Sequence, residues 1–244
     1  EPLAPGAVRI EVHAAGVNFR DVLNALGMVP IPWLGLEVAG IVTEIGEGVE
    51  NVQVGSRVLG MGQATFSSST VADGRLLTPV PESMSFEEAA TIPLVFLTAW
   101  YALHDLAKLQ PGESILIHAA AGGVGMAAYQ LAALHGAVIY GTASAPKWDA
   151  LRSLGLDDAH IASSRDLEFG AKFKAHTEGR GVDVVLNALA REFVDESLGL
   201  LAEGGRFLEM GKTDIREDAW IKEHHPSIGY WAFDLMEAGP DRIQ

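Results

Sequence analysis

Hydrophobic and polar positions change period along this chain near residue 85. Val8-Arg9-Ile10-Glu11-Val12-His13-Ala14 alternates at period two, which predicts a half-buried strand. Val38 to Gly46 predicts a second strand, closed by a glycine-rich turn at Gly46 to Gly48, and Val54 to Gly60 a turn and then a strand. Ser67 to Leu77 predicts a strand pair turning at Asp73-Gly74. Gly16 to Leu23 predicts a short helix with Asn18 near its start. Several short strands joined by tight turns predict a barrel-like β-domain over residues 1–92.

Ser85-Phe86-Glu87-Glu88 then supplies an N-cap and an acidic first turn. Pro93 interrupts, and Leu94 to Leu106 predicts a helix. Beyond it strands at Ile115–His118, Ala137–Thr142, Ala159–Ile161, Val182–Leu186, Gly205–Glu209 and Ile228–Phe233 alternate with helices at Gly122–His135, Lys147–Leu154, Leu167–Thr177, Arg191–Leu201 and Glu217–Glu223. That alternation predicts an α/β domain, a doubly wound parallel sheet over 93–244. Asp234 to Gln244 starts what reads as a further helix cut short, as in a fragment or excised domain.

Composition narrows the chemistry. The 244 residues include 27 glycines and no cysteine, so disulfides and thiolate chemistry are excluded and a cytoplasmic location is expected. A net charge of −15 argues against nucleic acid as partner. No apolar run is expected to reach the roughly 18 residues that span a bilayer, so no membrane partner is expected.

The strongest motif is Glu113 to Gly125, a strand, a small-residue loop and a helix start. Ala120, Gly122 and Gly125 stand in the places of a G-x-G-x-x-G dinucleotide loop, with Gly123 and Val124 between. The first allows a tight turn, the second backbone approach to a pyrophosphate, the third close helix–strand packing. An acid that would grip an unphosphorylated ribose is expected about 20 residues on. Gly141 to Lys147 holds none; Ser144 and Lys147, with Ser164 and Arg165 after the third strand, suit a 2′-phosphate. NADPH is therefore the expected cofactor, against the alternative that Lys147 is a solvated helix-start lysine.

Gly35-Leu36-Glu37-Val38-Ala39-Gly40 resembles the G-H-E-x-A-G of medium-chain alcohol dehydrogenases, with Leu36 in place of the zinc-ligand histidine. The chain thus resembles the zinc-free branch of that superfamily. Gly16 to Leu23, His118 to Gly125, Lys147 to Leu151, Gly181 to Asn187, Phe207 to Ile215 and Ala232 to Glu237 resemble the enoyl-reductase domain of a modular (type I) polyketide synthase. The resemblance implies a Rossmann-type domain with a GroES-like domain, and no metal. It implies NADPH-dependent reduction of an α,β-unsaturated thioester carried by an acyl carrier protein, beside neighbouring synthase domains. Hydride goes to Cβ and a proton to Cα.

Lys212 follows the fifth strand and Asp234 the sixth, at the edge where doubly wound sheets bind ligands. The resemblance makes both proton donors or relays; a structural ion pair is the alternative. Val29 stands where some family members have a tyrosine, which implies an (R)-type product from an α-methylated substrate. Asn18, Thr98 and Asn187 are candidates for hydrogen bonds to cofactor or substrate, Asn18 alternatively for helix capping. Met210 and Gly211 are expected to bring backbone to the carboxamide, and His118 to pack in the core. A free-standing zinc-free NADPH quinone oxidoreductase and an inactive structural domain of a megasynthase are the rival readings.

Overall fold

A computed structural model describes residues 2–29 and 31–244. The chain divides into two compact units, Glu1–Leu97 with Ala238–Gln244, and Thr98–Glu237.

In the first unit, strand β1 (Ala7–Ala15) leads to helix α1 (Phe19–Ala25), then to β2 (Glu37–Ile45), β3 (Arg57–Met61), β4 (Ser69–Asp73) and β5 (Leu77–Pro79). The antiparallel sheet has the order β4-β1-β2-β3-β5. The alternation read from β1 is realised: Val8 and Ile10 are buried beside Val38, Val42, Val58 and Leu77. Helix α2 (Phe86–Ala89) begins with a capping box between Ser85 and Glu88. Its Ala89 packs on Ala39 of β2 and Leu59 of β3.

One expectation is corrected here. The strands within Ser67–Leu77 do not pair with each other: β4 pairs with β1, and β5 with β3. The Asp73 carboxylate accepts from Arg75 N–H, opening a 3-10 turn at Gly74–Leu76 that carries the chain past a hairpin. Asp73 and Leu77 are four steps apart, at most about 14 Å. Opposite edges of a flat five-stranded sheet would lie about 19 Å apart. The short turn therefore requires the sheet to curl, as a barrel does.

A second correction concerns the helical run 86–106, which is 21 residues long with mean hydropathy 1.2, enough by length and composition to cross a membrane. Glu87, Glu88, Pro93 and Asp105 interrupt it, and Ala89, Ala90, Ala99, Ala102 and Leu103 are buried within the protein. The run is thus partly buried, over 33% of its apolar window. It comprises α2, α3 (Pro93–Trp100) and a π-helical turn at Tyr101–Leu106, the last two covering the helix expected over Leu94–Leu106. Arg206 donates to Ala107 O just beyond that turn, at 2.7 Å.

The second unit continues with β6 (Ser114–Ile117), α4 (Gly123–Leu134), β7 (Val138–Ala143), α5 (Trp148–Leu154), β8 (Ile161–Ser163), α6 (Glu168–His176), β9 (Val182–Asn187), α7 (Glu192–Leu200), β10 (Leu201–Glu209), α8 (Asp218–His224) and β11 (Gly229–Ala232). The sheet is parallel, with order β11-β10-β9-β6-β7-β8. Phe169, Phe173, Val194, Leu198 and Phe207 pack the face covered by α6 and α7. Strand order reverses between β6 and β9, and a doubly wound sheet opens a ligand crevice at the carboxyl ends there. Leu235–Ala238 forms a 3-10 turn and Pro240–Ile243 a last helical turn, α9.

Candidate active site

The loop after β6 is built by close packing. Ala120 N–H donates to Thr142 O at 2.9 Å, and Gly122 N–H to Ala119 O at 2.8 Å. A Cβ on Gly125 would lie 2.4 Å from Ala119 O and 2.6 Å from Ala120 Cα, so only glycine lets α4 sit this near the turn. A Cβ on Gly122 would meet only Ala119 O, at 3.1 Å, and otherwise open space. The sharp bend itself falls on Ala119, at φ +50°, rather than on Ala120. The helical ladder starts with Met126 N–H to Gly122 O. The N–H groups of Gly123, Val124 and Gly125 thus lie in a first turn that has no intrahelical acceptors. A helix start with an open glycine face is the donor set a pyrophosphate requires, so these residues fit a dinucleotide.

Next to this loop, Ser144 and Lys147 follow β7, and Ser164 and Arg165 follow β8. The two strands pair through Ala143 and Ser163, and Ser164 N–H donates to Ala143 O at 3.1 Å. All four residues therefore stand at one corner of the sheet, with Lys147 and Arg165 exposed. His118 is fully buried between Thr142 Oγ1 and Ser197 Oγ, both at 2.8 Å, and burial pushes its pKa down to about 3. It is a neutral core histidine.

Past the strand reversal, the carboxyl ends of β9, β10 and β11 are tied together. Asn187 is fully buried, and its Nδ2 donates to Leu189 O at 2.8 Å and Glu209 Oε2 at 2.7 Å. Its Oδ1 accepts from Leu189 N–H at 3.1 Å. The amide expected to face a ligand is thus engaged within the protein. Met210 N–H donates to Asn187 O and Gly211 N–H to Glu209 Oε1, which leaves their carbonyls as the backbone groups on offer. Lys212 Nζ donates to Phe233 O at 2.6 Å and lies 3.5 Å from Asp234 Oδ2. These two expected partners are brought together. Glu209 was not foreseen. The available signal was an acid closing an apolar strand, Phe207-Leu208-Glu209.

In the first unit Asn18 caps α1, and Asp21 reaches back to Asn18 N–H at 2.9 Å. Asn18 Nδ2 donates to Glu37 Oε1 at 2.7 Å, and Glu37 Oε2 accepts from Leu94 N–H at 2.8 Å. Burial pushes the Glu37 carboxyl above its ordinary value against the pull of these two bonds, with the nearby Asp21 charge adding to the rise. Val29 and Thr98 are half-buried, Val29 in the segment after α1 and Thr98 on α3.

The family profile "Alcohol dehydrogenase GroES-like domain" matches residues 4–82, and "Zinc-binding dehydrogenase" matches 123–225. The CurK enoyl reductase crystal structure is 46% identical, with a TM-score of 0.94 over all of this chain and 78% of that one. The chain belongs to the enoyl-reductase family of polyketide synthases, within the medium-chain dehydrogenase/reductases. The chain is 59% identical over 244 residues to pikromycin polyketide synthase component PikAII of Streptomyces venezuelae. It spans 6% of that protein's length. Escherichia coli quinone oxidoreductase complexed with NADPH is 29% identical, with a TM-score of 0.87 over all of this chain and 78% of that one. The zinc in the second profile's description does not fit the residues here. The chain has no cysteine, Leu36 occupies the histidine position, and among the described residues no group of three His, Asp or Glu side chains can hold a metal.

Proposed function

We propose that this oxidoreductase fold reduces the α,β double bond of an enoyl thioester carried on an acyl carrier protein, with NADPH as the reductant. It would act in the cytoplasm beside the other domains of a polyketide synthase. NADPH, when bound, supplies the hydride that goes to Cβ. The first turn of α4 holds its pyrophosphate with the N–H groups of Gly123, Val124 and Gly125, while Gly122 leaves room for the approach. Ser144, Lys147, Ser164 and Arg165 give the 2′-phosphate hydroxyls and cations at one corner.

The observation that carries the reading is the Lys212–Asp234 pair, 3.5 Å apart at the carboxyl ends of β10 and β11, on the sheet edge that also bears the glycine loop. As hydride reaches Cβ, the substrate's Cα–Cβ electron pair moves toward the thioester carbonyl to give an enolate. Lys212 Nζ–H then delivers the proton to Cα, and the Asp234 carboxylate holds the ammonium in place. Val29 carries no proton, so donation falls to Lys212, Asp234 or water.

The test is turnover with crotonyl thioester against a small quinone, using NADPH deuterated at the transferred position. Deuterium at Cβ of the product and thioester turnover well above quinone turnover support the reading. Quinone turnover alone would establish the free-standing oxidoreductase activity instead, and failure to bind NADPH would establish an inactive domain.

A further inference from the structure

Glu209 is a buried carboxylate, 1% exposed, for which the proposed chemistry has no use. It stands where three strand ends meet. Its Oε2 accepts from Asn187 Nδ2 after β9, at 2.7 Å. Its Oε1 accepts from Gly211 N–H, at 2.6 Å, one residue before Lys212. Its own carbonyl accepts from Phe233 N–H at 3.1 Å, and Phe233 O in turn accepts from Lys212 Nζ. Glu209 thus holds both the backbone from which Lys212 springs and the segment against which its ammonium rests.

We propose that Glu209 is a positioning residue for proton delivery: through Gly211 and Asn187 it fixes the loop that places Lys212 against Asp234. The inference rests on the reading of Lys212 as the proton donor. A carboxylate is required because both of its partners are donors that cannot turn into acceptors. Gly211 offers a backbone N–H, and the Asn187 amide is locked by Leu189 N–H on one side and Leu189 O on the other. A glutamine would face one of these donors with its own NH2 and lose that link.

The hold is sensitive to pH. Burial pushes the Glu209 carboxyl up to about 7; the bonds from Asn187 and Gly211 and the Lys212 charge pull it down, and Asp214 pushes it up. Tyr230 on β11 also lies in its field, with Arg216 close to that tyrosine. The ionised form, which accepts both N–H groups fully, therefore gains as pH rises through 7.

The experiment compares wild type, Glu209→Gln, Lys212→Ala and the double variant in the full native chain, at saturating NADPH with an enoyl thioester. Glu209→Gln should slow turnover about tenfold or more in the wild-type background, yet less than twofold when Lys212 is already alanine. Wild-type turnover should rise with pH through about 7, and that limb should be missing in Glu209→Gln. Multiplicative losses, or wild-type turnover and pH profile in Glu209→Gln, overturn the inference while leaving the enoyl-reductase reading intact. A wild type that reduces no thioester overturns the reading itself. If Glu209→Gln does not fold, amide exchange in wild type decides. Protection of Gly211 N–H, corrected for intrinsic rate, should fall several-fold between pH 5.5 and pH 8, because opening releases a carboxyl held above its ordinary value. Equal protection at both values overturns the hold.

Discussion

Lys212 Nζ lies 3.5 Å from Asp234 Oδ2 while donating at 2.6 Å to the carbonyl of Phe233, the residue immediately before that aspartate. The lysine is thus aimed by a backbone group as well as a charge. Its side chain is 46% exposed. An ion pair so open to water contributes at most about 1 kcal/mol to stability. A general acid commonly contributes 10²-fold or more to rate. Lys212→Ala should therefore change urea unfolding by less than about 1 kcal/mol while slowing thioester reduction roughly 10²-fold. The reverse pattern, large destabilisation with near-normal turnover, would assign the pair to structure.

The glycine loop separates a folding requirement from a binding one. Gly125→Ala forces a methyl to within 2.4 Å of Ala119 O, so the turn must shift at a cost of about 1–3 kcal/mol. Gly122→Asp meets only Ala119 O at 3.1 Å, with a backbone at φ −92° that any residue adopts. Its carboxylate would face the same open space as a phosphate. Gly122→Asp should keep the unfolding midpoint and lose at least about tenfold in NADPH affinity by fluorescence titration, equivalent to about 1.4 kcal/mol. Unchanged affinity would remove the loop from cofactor binding.

Lys147 tests which dinucleotide is used. It is exposed at the corner shared with Ser144, Ser164 and Arg165. A charge-assisted contact to a 2′-phosphate is worth about 1.5–3 kcal/mol. Lys147→Glu should then weaken NADPH roughly 10- to 100-fold and leave NADH within about twofold. Parallel losses for both cofactors would make Lys147 a general surface charge.

How much of this was legible follows from the range of each interaction. The burial of Val8 and Ile10 is written in the period of β1, and the steric need for Gly125 in a single strand–turn–helix unit. Other features depend on partners remote in sequence. Nothing within Ser67–Leu77 specifies that β4 joins β1 while β5 joins β3. The left-handed turn falls on Ala119, a residue type that carries no signal for it. Asn187 reads as a ligand contact at the end of β9, but Glu209, 22 residues away, consumes its amide.

Two buried carboxyls each contribute a pH dependence of definite sign. Burial raises both Glu37 and Glu209, the latter from 4.5 to about 7. A group held above its unfolded value binds more protons in the folded state between the two values, so stability falls as pH rises through that window. For Glu209 the full effect is about 3 kcal/mol, present below pH 4.5 and lost as pH passes about 7. Half-buried Asp73 and exposed Glu88 and Asp157, whose carboxyls are lowered, act in the opposite direction at lower pH and are the same in any Glu209 variant. His118, held down to about 3, and His104 and His225, also lowered, act against this as pH climbs, so the carboxyl is read by difference: from pH 5 to pH 8 urea unfolding of Glu209→Gln should gain about 2 kcal/mol relative to wild type. An identical slope in the variant would mean that Glu209 does not titrate in this interval.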